Sequence, residues 1–418
     1  MTDQDNTEQP AVQYSAFNYL SLLRFCRHVP STDALLATPN SVYVHKPAHY
    51  DYFGPPDSCQ PDDLPNIDEH NSETDYTNPF LFITRRLHHL VDDIFLASLD
   101  NVQVQHMSLG RERFHVLLDK GIVAAESYTS ARTCEGVSQQ IGEKMVLSAP
   151  SGPLSFNAYQ VCEPDFQVDV PCVLISHMWM HTYAHWLLEV LPRLWYLKAA
   201  PELAHLPIIV PPYPEGSFQD QTLKALAGDR PRIWPFGNVG QFRKLIFPSF
   251  YGMLSRLQIE WLNTNLREGL GITVPPGRNL KIYVSRADSP VRRIKDEEQL
   301  VERLSALGFS THVLSGLSVR QQIELFSQAD TIVTAHGANC ANLVFAPPGA
   351  KVIELVPASY IHPMYWFLSK LAGHFYGRVI CQDEGPQKLM TLDFNALASA
   401  LEALDRAGDE RNIRYPLT

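Results

Sequence analysis

The chain has 418 residues, more than one ordinary hydrophobic core supports, so two domains are expected. Hydrophobic residues make up 45% and charged residues 19%, a balance that is typical of globular proteins and excludes a largely disordered chain. The formal net charge of −11 disfavours nucleic acid as the main partner, because neutralising its phosphates needs a basic face.

Residues 1–90 are predicted to be an N-terminal extension with a long surface loop. The stretch 53–79 is rich in Pro, Asp and Asn and has few apolar residues to anchor it in a core. The opening residues, MTDQDNTEQP, lack the basic and apolar regions of a secretory signal. The seven cysteines form no C-x-x-C pair, which indicates reduced thiols rather than a zinc site or a disulfide framework. We therefore expect a cytoplasmic protein.

Residues 91–273 are predicted to form the first of two α/β lobes. Short strands and turns come first, and from about residue 170 strand-like and helical segments alternate. The strand-like segments are PCVLIS, LPIIVPP and KLIFPSF, and the helical ones are HTYAHWLLEVLPRLWYLKAA, FQDQTLKALAG and SRLQIEWLNTNLREGLG. The stretch VPPGRN at 274–279 is the predicted linker, because it combines two prolines with a glycine.

Residues 280–385 are predicted to form the second lobe, followed at 386–418 by a C-terminal helix that packs back across the lobes. Strand-like LKIYVSR, STHVLS and DTIVTA alternate with helical DEEQLVERLSALG and SVRQQIELFSQA. This alternation predicts a parallel sheet covered by helices on both faces. Two such lobes place the ligand in the cleft between them.

The segment DTIVTAHGANCANLVFAPPG predicts a strand, a tight turn and a helix. The turn holds His336, Gly337, Ala338 and Asn339. Glycine lets a ligand approach the backbone, and the free N–H groups that begin a helix favour an anion, to which His336 can also donate. Glu354, at the end of the next strand, can accept from two ribose hydroxyls. The alternative is a turn that these residues merely shape, with Glu354 in an ion pair.

Three arginines follow a predicted strand in YVSRADSPVRRI, residues 283–294. Arg286 comes directly after the strand, and Arg292 and Arg293 lie in the loop beyond it. Guanidinium groups at such a strand end can bind a diphosphate through paired hydrogen bonds. The alternative is three solvated loop arginines. Arg286 is the strongest candidate of the three, because the strand fixes its position.

His185 and Glu189 are four residues apart and therefore share one face of a predicted helix. Apolar residues between them can partly desolvate a carboxylate or an imidazole, and such a group can act as a general base. The alternative is an ordinary His–Glu pair on a helix surface. Pro192 is expected to interrupt the helix. No metal site, glycine-rich nucleotide loop or G-x-S-x-G elbow is indicated, so we predict neither a metal nor a cofactor.

The segments AHWLLEVLPRLW and YVSR, with the continuous stretch GFSTHVLSGLSVRQQIELFSQADTIVTAHGANCANLVFAPPGAKVIEL, resemble glycosyltransferase family 61. The resemblance extends over roughly residues 170–379. It implies a GT-B-type architecture of two Rossmann-like lobes with a central cleft, preceded by an irregular or β-containing N-terminal region. It also implies an inverting transferase with a nucleotide-sugar donor, often UDP-linked, that works without a metal ion.

Under this resemblance, each candidate residue has an expected role. The catalytic base is Glu189 or His185, which match a family pattern of a histidine followed four residues later by an acidic residue. The donor-binding residues are Ser285, Arg286, Arg293, His336, Gly337, Ala338, Asn339, Asn342 and Glu354. The acceptor is expected to be a saccharide, a glycan or a lipid-linked glycan of surface polysaccharide assembly. Peripheral association with the inner membrane stays open.

Two other functions remain open at this point. One is a different transferase on the same two-lobed frame, which turnover of UDP-sugars would distinguish. The other is a catalytically silent subunit that binds a nucleotide or a glycan in an assembly complex. In that case Glu189→Gln would leave every activity unchanged. The sequence does not specify the sugar, the nucleotide base, the linkage or the oligomeric state.

Overall fold

The computed structural model describes residues 19–20, 26–45, 94–108, 112–117, 123–124, 148–149, 152–153, 163–176, 180–234, 239–249, 256–273, 279–362 and 364–414. The predicted surface loop at 53–79 and all but the last residue of the predicted linker lie outside these residues. Two large β-sheets with associated helices confirm the predicted α/β class. The GT-B arrangement of two lobes stays a prediction.

The strands and helices are numbered along the chain. The strands are β1 (Tyr19–Leu20), β2 (Arg27–His28), β3 (Ser41–His45), β4 (Ile94–Ser108), β5 (Glu112–Leu117), β6 (Val123–Ala124), β7 (Ser148–Ala149), β8 (Gly152–Pro153), β9 (Phe166–Val168), β10 (Cys172–Leu174), β11 (Ile208–Ile209), β12 (Arg232–Ile233), β13 (Val239–Pro248), β14 (Leu280–Ser285), β15 (Phe309–Val313), β16 (Ala329–Ala335), β17 (Lys351–Pro357), β18 (Phe375–Glu384) and β19 (Leu389–Thr391). The helices are α1 (Asp33–Ala37), the composite α2 (183–199), α3 (Phe218–Ala227), α4 (Arg256–Gly269), α5 (Glu297–Ala306), α6 (Val319–Ser327), α7 (Met364–Leu371) and α8 (Phe394–Arg414). Short 3-10 helices cover Pro201–Leu203, Leu314–Gly316 and Ala338–Phe345.

The second sheet has the strand order β15-β14-β16-β17-β18-β19. Its first five strands are parallel, as predicted, and β19 is antiparallel. Numbered from β14, the parallel strands follow the order 2-1-3-4-5, in which the chain leaves β14 and its neighbour β16 in opposite directions. In sheets of this topology, ligands bind in the crevice outside the carboxyl ends of two such strands.

The first sheet is mixed rather than parallel. Strands β9, β10, β11, β12 and β13 are joined by parallel pairings, but β4 is antiparallel to β3, β5 and β13. The parallel pairings lie within the alternation predicted from about residue 170, and β4 precedes that alternation. The short strands predicted near residues 94–108 are one continuous strand, because partners on both sides take up its backbone hydrogen bonds along its length.

Helix α2 changes its winding along the chain. It begins with the α-helical turn Tyr183–His185 and continues as the π-helix Trp186–Val190. The 3-10 segment Leu191–Trp195 follows, and the α-helical turn Tyr196–Ala199 ends it. Pro192 stands at the start of the 3-10 segment, where its missing N–H prevents a regular α-helix. The predicted interruption at Pro192 is confirmed.

One apolar cluster joins the two sheets. It includes Leu245 of β13 and Trp186 of α2 together with Ile332 of the second sheet. A second cluster covers the other face of the second sheet and includes Leu397 and Leu404 of α8. The C-terminal helix thus packs on the outer face of the second sheet. In the part of the chain that the structure describes, no helix has the length and apolar character needed to cross a membrane.

Candidate active site

Arg286 lies where β14 ends, at the crevice between β14 and β16. Its side chain is only 6% exposed, and Nη2 donates to Ser289 Oγ at 2.6 Å. None of the ion pairs among the described residues includes Arg286. Burial, followed by the charge of Arg292, lowers the pKa of the guanidinium, and exposed Asp288 opposes this in smaller measure. A buried guanidinium without an ion-pair partner is a favourable place for an anionic ligand.

Gly337 follows His336, the first residue after β16. It packs against the Arg286 guanidinium. A Cβ atom at Gly337 would lie 1.7 Å from Nη1 and 2.4 Å from Cζ of Arg286. The φ angle of 166° is extended backbone, so space alone requires glycine. Ala338 and Asn339 are partly exposed in the same turn. The predicted helix that they begin is a 3-10 helix.

The buried carboxylate of Glu354 contacts the Nδ1 side of the His336 ring. The Nδ1 atom of His336 lies 2.5 Å from Glu354 Oε1, and the Tyr376 hydroxyl donates to Glu354 Oε2 at 2.5 Å. A carboxylate only accepts, so the Nδ1–H of His336 is the donor and Nε2 remains for other partners. Glu354 is 0% exposed. The expected contact between Glu354 and ribose does not fit a carboxylate with no exposed surface.

Asn342 and Ser285, both expected to bind the donor, are buried and hydrogen-bonded within the protein. Asn342 accepts from the Tyr183 hydroxyl at 2.7 Å and donates to Gln322 Oε1 at 3.0 Å. Its amide therefore links α2 to the second sheet's 3-10 helix rather than facing a ligand. The Ser285 hydroxyl accepts from the Ala287 N–H at 3.0 Å.

Arg292, rather than Arg293, adjoins Arg286. The side chain of Arg292 is half-buried, and its Cζ lies 5.4 Å from the ring centroid of Tyr360. Its Nε is buried without a hydrogen-bond partner, and like Arg286 it takes part in no ion pair of the described residues. The Arg293 side chain is exposed. Sequence spacing alone did not distinguish these consecutive arginines.

His185 and Glu189 of α2 are in contact, with Nδ1 of the imidazole 2.7 Å from Oε2 of the carboxylate. The side chains are 33% and 16% exposed, respectively. Between them, Trp186 is buried and its Nε1 donates to Thr222 Oγ1 at 2.9 Å, which anchors the helix. The two candidate bases therefore form a pair that the solvent can reach, while their catalytic role stays a prediction.

His362 follows β17 and was not identified from the sequence. Its Nδ1 accepts the Met364 N–H at 3.3 Å. Burial, followed by the positive charge of His336, lowers the pKa of His362 to about 4; Glu354 opposes this and His185 adds to it. His362 is thus within electrostatic reach of both the crevice and the α2 pair. Its place beyond the carboxyl end of a parallel strand was the available signal.

The sequence of the chain is similar to a known family of transferases. The sequence profile of the family described as Glycosyltransferase 61 matches residues 183–353, from the start of α2 to β17. The match covers less than half of the chain. The predicted resemblance is thereby confirmed, and the matched region holds the His185–Glu189 pair, Arg286 and the turn at Gly337.

Two similar rice proteins (Oryza sativa subsp. japonica) are named as transferases. Beta-1,2-xylosyltransferase RCN11 is 20% identical over 149 residues, which are 34% of this chain and 27% of that protein. Beta-1,2-xylosyltransferase XAX1 is 30% identical over 105 residues, which are 25% of this chain and 17% of that protein. The similarity therefore spans less than a third of either relative's length.

Proposed function

We propose that the chain is a glycosyltransferase that moves a sugar from a nucleotide-sugar donor to a saccharide or glycan acceptor. The observation that carries this proposal is the buried Arg286 guanidinium, which has no ion-pair partner among the described residues and lies where β14 and β16 diverge. A diphosphate placed there would supply the missing negative charge. The match of residues 183–353 to the Glycosyltransferase 61 family supports the same reaction class.

The proposed donor is a UDP-sugar, with a pentose such as xylose favoured by the names of the two rice relatives. Its diphosphate would lie against Arg286 and Arg292, with the backbone of Gly337 close enough to touch it because no side chain intervenes. His336 would donate from Nε2 to a phosphate oxygen. These groups stabilise the charge that develops on the leaving diphosphate as the sugar departs.

The proposed chemistry is a single displacement with inversion at the anomeric carbon. The acceptor oxygen forms the new glycosidic bond, its proton passes to a base, and the bond from the anomeric carbon to the diphosphate oxygen breaks. We assign His185 as the base, because it is the more exposed member of the pair. Oε2 of Glu189 lies 2.7 Å from Nδ1 of His185, so the carboxylate would stabilise the imidazolium that forms when Nε2 takes the proton.

Turnover of UDP-xylose and UDP-glucose, measured as UDP release with a panel of xylan and other saccharide acceptors, tests this proposal. His185→Gln is expected to lower kcat by about 10²–10⁴-fold, the usual contribution of a general base. The affinity of this variant for UDP should stay unchanged, since the proposed diphosphate contacts are Arg286, Arg292 and Gly337 rather than His185. A wild-type chain that bound UDP but transferred no sugar, with variants at His185 and Glu189 of no effect, would instead identify the silent subunit.

The acceptor's place in surface polysaccharide assembly and the cytoplasmic location stay predictions from the sequence. The metal-independent reaction is also a prediction. In the described parts of the chain, no group of three or more His, Cys, Asp or Glu side chains is placed to hold a metal ion. Adding EDTA to the UDP-binding and turnover assays tests that prediction directly.

A further inference from the structure

Glu354 is a charged group that the proposed reaction does not yet use. It lies in the middle of the second sheet on β17 and is fully buried. A buried carboxylate is costly unless hydrogen bonds satisfy its oxygens. One oxygen accepts from His336 Nδ1 and the other from the Tyr376 hydroxyl, each at 2.5 Å. Both oxygens are therefore bound to side chains of the protein and neither faces solvent.

We propose that Glu354 is a positioning residue that, with Tyr376, orients His336 so that its Nε2–H donates to the departing diphosphate. The inference rests on the proposed function and deepens it. It replaces a direct contact between Glu354 and the ribose of the donor with an indirect action through the imidazole ring. His336 is the residue that touches the ligand, and Glu354 and Tyr376 act behind it.

The contacts of the His336 ring support this assignment. With Nδ1 committed to Glu354, only Nε2 can meet a ligand. The rings of Tyr360 and Tyr365 lie 5.5 and 5.4 Å from the imidazole centroid, at interplanar angles of 66° and 60°. Packing on these aromatic neighbours restricts rotation of the imidazole. Nε2 is thus held in a defined direction by one hydrogen bond and two ring contacts.

The charge balance also favours an action on phosphate. A ring that donates from Nδ1 to Glu354 and from Nε2 to a phosphate oxygen carries both protons and one positive charge. The negative charge of Glu354 directly behind the ring stabilises that state. Burial, followed by the charge of Glu354, raises the pKa of Tyr376 well above its usual range, so the phenol remains a donor to the carboxylate. The hydrogen-bonded series Tyr376–Glu354–His336 can therefore hold the Nε2–H of His336 in a fixed direction, towards the leaving diphosphate.

Comparing UDP with uridine separates this proposal from a ribose contact. Uridine has the ribose but no phosphate, so a residue that acts on the diphosphate affects only UDP. Glu354→Gln is expected to weaken UDP binding by about 10–100-fold, as loss of an orienting partner does at metal sites. Its uridine affinity, measured by ligand-observed NMR, should stay within about twofold of wild type. Tyr376→Phe should show a smaller loss of the same kind.

Equal losses for UDP and uridine would overturn the proposal in favour of a ribose contact, and unchanged UDP affinity in both variants would overturn it outright. If Glu354→Gln does not fold, Tyr376→Phe keeps the test decisive, because the carboxylate remains in place. A wild-type chain that bound no nucleoside diphosphate would instead refute the proposed function. The two failures are thus distinguishable.

The imidazole itself offers a second readout. In protein labelled with ¹⁵N-histidine, the His336 signal can be identified by its loss in His336→Asn. With UDP bound, both ring nitrogens of wild-type His336 should show the shifts of protonated nitrogens. Glu354→Gln should move the Nδ1 or Nε2 shift towards a neutral ring. Identical spectra in the two proteins would show that Glu354 does not control His336.

Discussion

Replacing Gly337 by alanine tests whether the Arg286 guanidinium, in its position against Gly337, binds the diphosphate of UDP. The new Cβ would lie 1.7 Å from Nη1, so the guanidinium must retreat by about 1.7 Å to reach ordinary contact distance. A shift of that size breaks the 2.6 Å hydrogen bond to Ser289 and moves the charge away from the diphosphate. Losing one such contact costs about 2–4 kcal/mol, so UDP affinity should fall roughly 30–1,000-fold.

The free energy of unfolding should fall by about 1.5–3.5 kcal/mol in the same variant. Overpacking costs about 1 kcal/mol where a flexible side-chain end can move, and losing the hydrogen bond of the buried guanidinium costs about 1.5–3 kcal/mol. Alanine at this extended φ returns about 0.4–1 kcal/mol through the unfolded state. Isothermal titration with UDP and urea unfolding measure the two effects separately. Gly316→Ala is the matched control, because no atom lies within 4 Å of its added Cβ. UDP binding as tight as wild type in Gly337→Ala would refute this account of the crevice.

Three further predictions concern single side chains. Arg292→Ala should weaken UDP binding at least tenfold while its exposed neighbour variant Arg293→Ala leaves it unchanged; equal effects in titrations would contradict the assignment. Tyr183→Phe should cost about 1 kcal/mol in urea unfolding and Asn342→Ala about 2–3 kcal/mol, because the latter leaves buried partners unsatisfied. Burial lowers the pKa of His374 to about 4, whereas an unfolded histidine protonates near 6.5, so stability is lost as pH falls between these values. The loss should reach about 3 kcal/mol at pH 4 and be smaller in His374→Gln, and parallel pH profiles of the two proteins would exclude His374 as the source.

The sequence predicted the second sheet better than the first. Continuous apolar runs separated by capped helices determine a parallel sheet, and β14 to β18 follow them. The antiparallel partners of β4 left no such pattern, because their pairing is fixed by contacts between residues distant in the chain. A periodic sequence pattern indicates local structure and burial, but it does not indicate which edge of a sheet a strand joins.

The candidate site divides in the same way. The sequence placed Arg286 and Gly337 just beyond the carboxyl ends of β14 and β16, and the structure has them there, since their position depends on backbone topology. The direction of a side chain is decided by packing, which is why Glu354 and Asn342 proved to be buried and Arg293 exposed. Residues that look equivalent in a motif can thus be buried beneath the site or exposed away from it.

The single apolar cluster shared by the two sheets bears on how the protein can be handled. Pulling the sheets apart would bring that surface into water, so the chain should melt as one cooperative unit rather than in two steps. A fragment ending near residue 273 would expose the apolar surface that the second sheet covers, and it would tend to aggregate. Chimaeras that swap donor specificity are therefore better built by grafting loops at the carboxyl ends of β14, β16 and β17 than by exchanging whole halves.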